Sequence, residues 1–288
     1  MIRSLMILLT LATAAVAGPY PAYTTNGVAP AQVNAWADAL VNYSPAPGVV
    51  AIDSFGGGPH NVPANGLGAA DGQTVSLGDL DAAQIGAGVP VGRITLSFVT
   101  PIFNGPGADL AVFENASAFF TAPVIFGELA FVEVSSNGVD FARFPAVSLN
   151  TEADLDAPFG RDFAGINTTN IHNLAGVHPT RSGTPFDLAE LTSAAAVVSG
   201  AVSLSSIRFV RLVDIPGNGA FTDSLGNPVL DPWLSVESGG FDLDAVGGIN
   251  VVPEPMALVL GMLAAGCLAR RQHVFVFPAR SAAHAHGE

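Results

Sequence analysis

The chain has no lysine, and its single cysteine, Cys267, stands near the C-terminus. A lone thiol excludes an intramolecular disulfide framework and a cysteine zinc cluster, so a folded core must hold the protein together. Two tryptophans and three tyrosines are few for a protein that would stack sugar rings on exposed aromatics. The only fixed positive charges are ten arginines, set against 24 acidic residues, for a formal net charge of −14. That balance excludes tracking along nucleic-acid phosphates, and no nucleic-acid partner is expected. It suits an acidic soluble surface or one that gathers cations. No G-x-S-x-G elbow, H-E-x-x-H or EF-hand loop is present. Helical periodicity is also scarce, while glycine (32) and proline (21) are abundant. Together these predict many short strands joined by turns.

Several strands are legible. Gly92 to Phe98 alternates Ile94, Leu96 and Phe98 with Arg93, Thr95 and Ser97, the signature of a half-buried strand. Asp109 to Glu114 and Ile207 to Val213 are more continuously apolar and read as central. Phe131 to Ser135, a turn at Asn137-Gly138 and Phe141 to Phe144 read as a hairpin, because Asn-Gly supplies positive φ. Phe241 to Val246 reads as a closing strand. Val33, Trp36, Leu40 and Tyr43 fall at helical spacing and predict one short helix over 31–43. Residues 150–191 form a long, weakly patterned stretch, expected to be functional or packed. About eight strands and two long loops predict an all-β fold, an antiparallel jelly-roll β-sandwich with a short N-terminal helix. The hairpin Val132-Glu133-Val134-Ser135 with Asn137-Gly138 and Phe141 resembles the galactose-binding jelly rolls, and that resemblance implies a sandwich of their kind.

Two apolar segments flank this region. Met1 to Ala17 carries Arg3, a Leu5-to-Leu9 core and Ala15-Val16-Ala17, the pattern of a cleaved secretory signal. Met256 to Ala269 is apolar and uncharged, but as a helix it would span only about 21 Å. It follows Val252-Pro253-Glu254-Pro255 and precedes Arg270-Arg271. The order of motif, apolar run and arginine pair resembles the PEP-CTERM sorting tail. Gly105 to Leu110 through Phe113-Glu114-Asn115, Val132 to Ser135 with Asn137-Gly138, Leu174-Ala175-Gly176 with Gly183 to Leu188, and Gly240 to Val246 resemble an ectodomain found in such proteins. The resemblance implies four segments: signal peptide 1–17, sandwich ectodomain 18–252, sorting tail 253–271 and an atypical extension 272–288. It also implies an exosortase-type enzyme as partner and transient membrane association through the tail helix. Delivery would be to the surface or exopolysaccharide matrix of a Gram-negative bacterium, by way of the inner membrane. The expected role is structural or adhesive and non-enzymatic.

Among candidate sites, calcium comes first, because hard cations take oxygen ligands. Asp242 and Asp244, two apart on a strand, should share a face. Asp109, Glu114 and Asn115 bracket another strand and could lie nearby. A carbohydrate-binding alternative rests on Trp233 with Asp231 and Asn227, and on Phe119-Phe120. A second alternative, a secreted glycoside hydrolase, rests on Glu114 and Glu133 as a carboxylate pair on adjacent predicted strands. His172, His178, Asp187 and Ser182 in the long stretch are the remaining candidates for chemistry.

Overall fold

The structure, a computed structural model, describes residues 17–54, 56–235 and 237–253. The described residues up to Val252 belong to one compact unit. Their strands pair antiparallel throughout and fall into five open sheets. The larger sheet runs Leu174–Ala175, Ala130–Ser135, Ile207–Asp214, Arg93–Ile102, Ala39–Ser44, with Ala142–Arg143 also paired to Ala130–Ser135. The second runs Ala35–Trp36, Asp242–Gly248, Leu110–Glu114, Thr184–Phe186, with Val75–Ser76 beside Asp242–Gly248. Three two-stranded pairs complete the set.

Period-two alternation explains how the layers form. Val132 and Val134 enter the main core while Phe131 points into a second cluster. Leu110 and Val112 face the same main core, and Ala111 and Phe113 face a third cluster with Trp36 packed on it. Both faces of Leu110–Glu114 are therefore covered, which is why its sequence is continuously apolar.

The all-β jelly-roll expectation is corrected. Helical turns make up 14% of the fold, the sheets are open, and the architecture is mixed α/β. Among the described residues no closed barrel forms. The turns are three short α-helices, Tyr23–Asn26, Ala82–Gly86 and Ala195–Val198, and six 3-10 turns between the strands. Much of the long stretch 150–191 folds into such turns and two-residue strands rather than into the strands of a sandwich.

The helix expected over 31–43 is also corrected. Pro30–Gln32 forms a 3-10 turn, Ala35–Trp36 pairs with Gly247 and Gly248, and Ala39–Ser44 pairs with Arg93–Ile102. Tertiary contacts override the spacing. Trp36 packs on Phe113 with ring centroids 5.3 Å apart, and the Tyr43 hydroxyl donates to Ser76 O at 2.8 Å. Leu40 and Val41 are left exposed on the edge strand.

The hairpin around Asn137-Gly138 is present, with Glu133 opposite Arg143 and Gly138 at φ +77°. Glu133 is buried between two arginines. Arg143 Nη2 lies 2.7 Å from Oε1, and Arg211 Nε lies 2.5 Å from Oε2. Each guanidinium also covers a ring, Arg143 over Phe131 and Arg211 over Phe141. Glu133→Gln should cost about 1–3 kcal/mol, since both arginines remain partly in water. A urea midpoint unchanged within error would show that the clamp contributes nothing.

Candidate functional site

A cavity of about 500 Å³ opens where ends of the two larger sheets approach one another. Its floor comes from both. Asp242 opens the strand Asp242–Gly248, and Asn115 directly follows Leu110–Glu114; Asn115 Nδ2 donates to Asp242 Oδ2 at 2.8 Å. Glu128 lies two residues before Ala130–Ser135. Its Oε1 accepts from Gly240 N at 2.9 Å and from the Ser235 hydroxyl. Phe126 and Phe163 form the apolar wall, stacked with centroids 4.7 Å apart and 19° between planes. Asp53, Asp162 and Glu237 complete the charged lining. Every charged residue of this lining is therefore an acid. Ser235, Glu237 and Gly239 also line a second cavity of about 200 Å³ that includes Asp79, so this segment is a wall common to both.

Carboxylates continue behind the floor. Glu114, Asp214, Asp231 and Asp242 are all nearly inaccessible. Each accepts one good hydrogen bond. Ala116 N donates to Glu114, Phe241 N to Asp214 and Leu129 N to Asp231, at 2.5, 2.8 and 2.7 Å. Yet Glu114 Oε1, Asp214 Oδ2 and Asp242 Oδ1 are buried without a partner. Beside Asp242, the Ser76 hydroxyl lies 2.8 Å from Gly239 O and is also close enough to Asp242 to lower its pKa against the effect of burial.

Burial pushes all of these acids up, and at Glu114, Glu128, Asp214 and Asp231 the charge of neighbouring acids adds to it. Burial raises Asp242 to about 7 and Asp79 to about 6. Burial and then the charge of Asp242 raise Glu114 and Glu128 well above the usual range. Asp214 and Asp231 are raised by burial first. Arg161 opposes this at Asp231 and Asp79. Its Nη2 donates to Gly217 O at 2.5 Å and its Nη1 to the Asp231 carbonyl.

Of the five residues expected to hold calcium, the structure brings together Glu114, Asn115 and Asp242. Asp109 lies elsewhere, fully occupied as a staple for Gly105 N, Leu188 N and Asn250 Nδ2. Asp244 is the extra residue of a β-bulge between Leu243 and Ala245. Its carboxylate accepts from the backbone of Asp71 and Gly72, apart from the partner of Asp242. Among the described residues, no group of three or more His, Cys, Asp or Glu is arranged to hold a metal ion.

The expected sugar site does not assemble. Trp233 Nε1 is tied to Leu80 O at 3.0 Å, Asp231 is buried in the acid cluster, and Asn227 ties down Asp223 in a hairpin loop. Phe119 and Phe120 pack edge to face. Glu114 and Glu133 stand in different sheets, so the expected carboxylate pair is corrected as well.

His172 and His178 are held in contacts within the fold. His172 bonds Glu190 at 2.8 Å and stacks on Tyr20. His178 lies between Thr184 and Asn26, and burial lowers its pKa to about 4. Asp187 caps the turn Leu188–Leu191 by accepting from Ala189 N.

Glu128, Asp214 and Asp79 are the members of the cluster that sequence reasoning missed. The available signal was an acid set among apolar neighbours, as in Phe126-Gly-Glu-Leu-Ala-Phe131 and Phe209-Val-Arg-Leu-Val-Asp214.

No family model matches the chain, and no curated protein matches it. The resemblance to PEP-CTERM proteins is therefore not upheld. Among the described residues no helix is long and apolar enough to cross a membrane. The expectations that hung on that resemblance are corrected with it: an exosortase and exopolysaccharide as partners, transient membrane association, surface or matrix delivery, and a structural or adhesive role. The carbohydrate-binding and hydrolase alternatives lose their residues, as described above. Glu254, Pro255, Arg270 and Arg271 of the expected sorting motif, and residues 1–16 of the expected signal, lie outside the described residues. Val252 and Pro253 close the described part of the chain.

Proposed function

We propose that this domain is a non-enzymatic binding module for a positively charged ligand, with the acidic cavity as its site. One observation carries the reading. Asp242 is 4% exposed, lines the cavity, and holds Oδ1 without a partner in a wall whose charged residues are all acids. Leaving a buried carboxylate oxygen unsatisfied costs on the order of 1–3 kcal/mol, a cost that an incoming donor or cation removes. A low-dielectric cleft of one sign also concentrates ligands of the opposite sign. The volume falls within the range of small-molecule sites, roughly 300–1,000 Å³. Calcium is one of the cations this reading admits, with Asn115 and Asp242 as oxygens of the lining and Glu114 buried behind them.

The test is calorimetric titration of the full chain, above neutral pH and at low salt, with calcium chloride, spermidine and hexylammonium chloride. At least one should bind in the millimolar range or tighter, and added sodium chloride should weaken it. Asp242→Asn should weaken binding by about 10-fold or more. No binding by any of the three would overturn the reading.

A further inference from the structure

The strongest feature left to explain is the pairing of unsatisfied carboxylate with exposed aromatic surface in one cavity. We infer that the ligand is a primary ammonium carried on an apolar body: the ammonium sits on Asp242 and Glu128, and the body lies along Phe126 and Phe163. This rests on the reading of the cavity as a cation site and names the class of cation.

Three observations choose the ammonium. An ammonium has three donors and no acceptor, so two or three acceptor oxygens satisfy it. Asp242, whose buried Oδ1 has no partner, and Glu128 both line the floor, and the Asn115 side-chain amide holds Asp242 in place. A calcium ion asks for about six to eight oxygens. Among the described residues no three acidic, histidine or cysteine side chains are arranged to supply even the start of such a shell.

The wall is the second choice point. A site for a bare hydrated ion has no use for two stacked phenylalanines. Phe163 is 52% exposed, although it is a large apolar side chain, and its ring is stacked on Phe126 at the cavity. An alkyl chain would cover that exposed surface, and the ring face attracts a nearby cation.

The third observation is the direction of the gradient. Asp162 and Glu237 line the same cavity as the floor carboxylates and extend its negative lining. Arg161, the nearest arginine in sequence, is turned away into Gly217 O and the Asp231 carbonyl. No positive side chain of the lining competes for the floor.

The experiment titrates the full chain with hexylammonium chloride, 1-hexanol and calcium chloride, each alone and then calcium against bound hexylammonium. Hexylammonium should bind, hexanol should not, and calcium should fail to displace the amine. Asp242→Asn should weaken hexylammonium by about 10-fold or more, the scale of a lost hydrogen bond to a charged group. Phe163→Ala should weaken it by about 2- to 5-fold, the scale of an exposed cation–π and apolar contact. Phe163 is half in water, so this variant remains folded and keeps the test decisive if Asp242→Asn unfolds the chain.

Calcium that binds and displaces hexylammonium would overturn the inference while leaving the cavity a cation site. Hexanol binding as well as hexylammonium, or no binding by any probe, would overturn both. Full affinity in Phe163→Ala would overturn the placement of the apolar body.

Discussion

Thermal unfolding of the full chain, in low salt and without divalent ions, is expected at higher temperature near about pH 5 than near about pH 8. The direction follows from the acids behind the cavity. Asp242 is raised to about 7 and Asp79 to about 6, and Glu114, Glu128, Asp214 and Asp231 are raised as well, burial being the first cause in each. In the unfolded chain these groups ionise near their ordinary values, about 4. The folded state therefore binds more protons than the unfolded state between roughly pH 4 and pH 7. Stability is fully present below the unfolded values and is lost as the pH rises through the folded ones. Asp242 alone contributes on the order of several kcal/mol across that interval. Glu114→Gln, which removes one buried charge and keeps the shape, should flatten the slope. A melting temperature that is constant, or that falls toward acid, would refute this account of the cluster. A saturating cationic ligand should flatten the slope too, because it takes over the role of the protons.

The second large effect belongs to Arg161. Arg161→Met should destabilise the fold by about 3–5 kcal/mol, with a fall in melting temperature on the order of 10 °C. Two carbonyls, Asp231 O and Gly217 O, lose their donor, and the charge that lowers Asp231 and Asp79 disappears. The loss should be greater near about pH 8 than near about pH 5, since protonated acids no longer need the cation. Arg161→Lys should restore the charge but not the two-pronged donor geometry, and so recover only part of the loss. Chemical denaturation at both pH values measures this. An equal loss at both would reduce Arg161 to a hydrogen-bonding residue without an electrostatic role.

How much of this was legible depended on range. Arg93–Ile102 and Ile207–Asp214 announced themselves through local alternation and β-branched residues, and Asn137-Gly138 marked its hairpin. The stretch 31–43 misled because apolar residues spaced three and four apart serve two ends. They can line a helix, or they can be fixed one by one, as Trp36 is by Phe113 and Tyr43 by Ser76. The bulge at Asp244 was invisible for a different reason. An extra residue in a strand is set by its neighbour's register, and Leu110–Glu114 is more than a hundred positions away.

The acid cluster shows the same limit at the level of the site. Glu114 ends one strand, Asp214 ends another and Asp242 begins a third, each an ordinary position for a carboxylate. What makes them a site is which ends meet, and periodicity carries no information about that. The Glu114–Asn115–Asp242 grouping could be guessed from strand ends. Glu128 and Asp214 could not, because they arrive from the opposite sheet.

Ser235, Glu237 and Gly239 form a partition between two chambers. Glu128 fastens it through the Ser235 hydroxyl and the Gly240 amide, and that same carboxylate faces the larger chamber. A guest bound to Glu128 would compete with the Ser235 hydroxyl and the Gly240 amide for the same carboxylate.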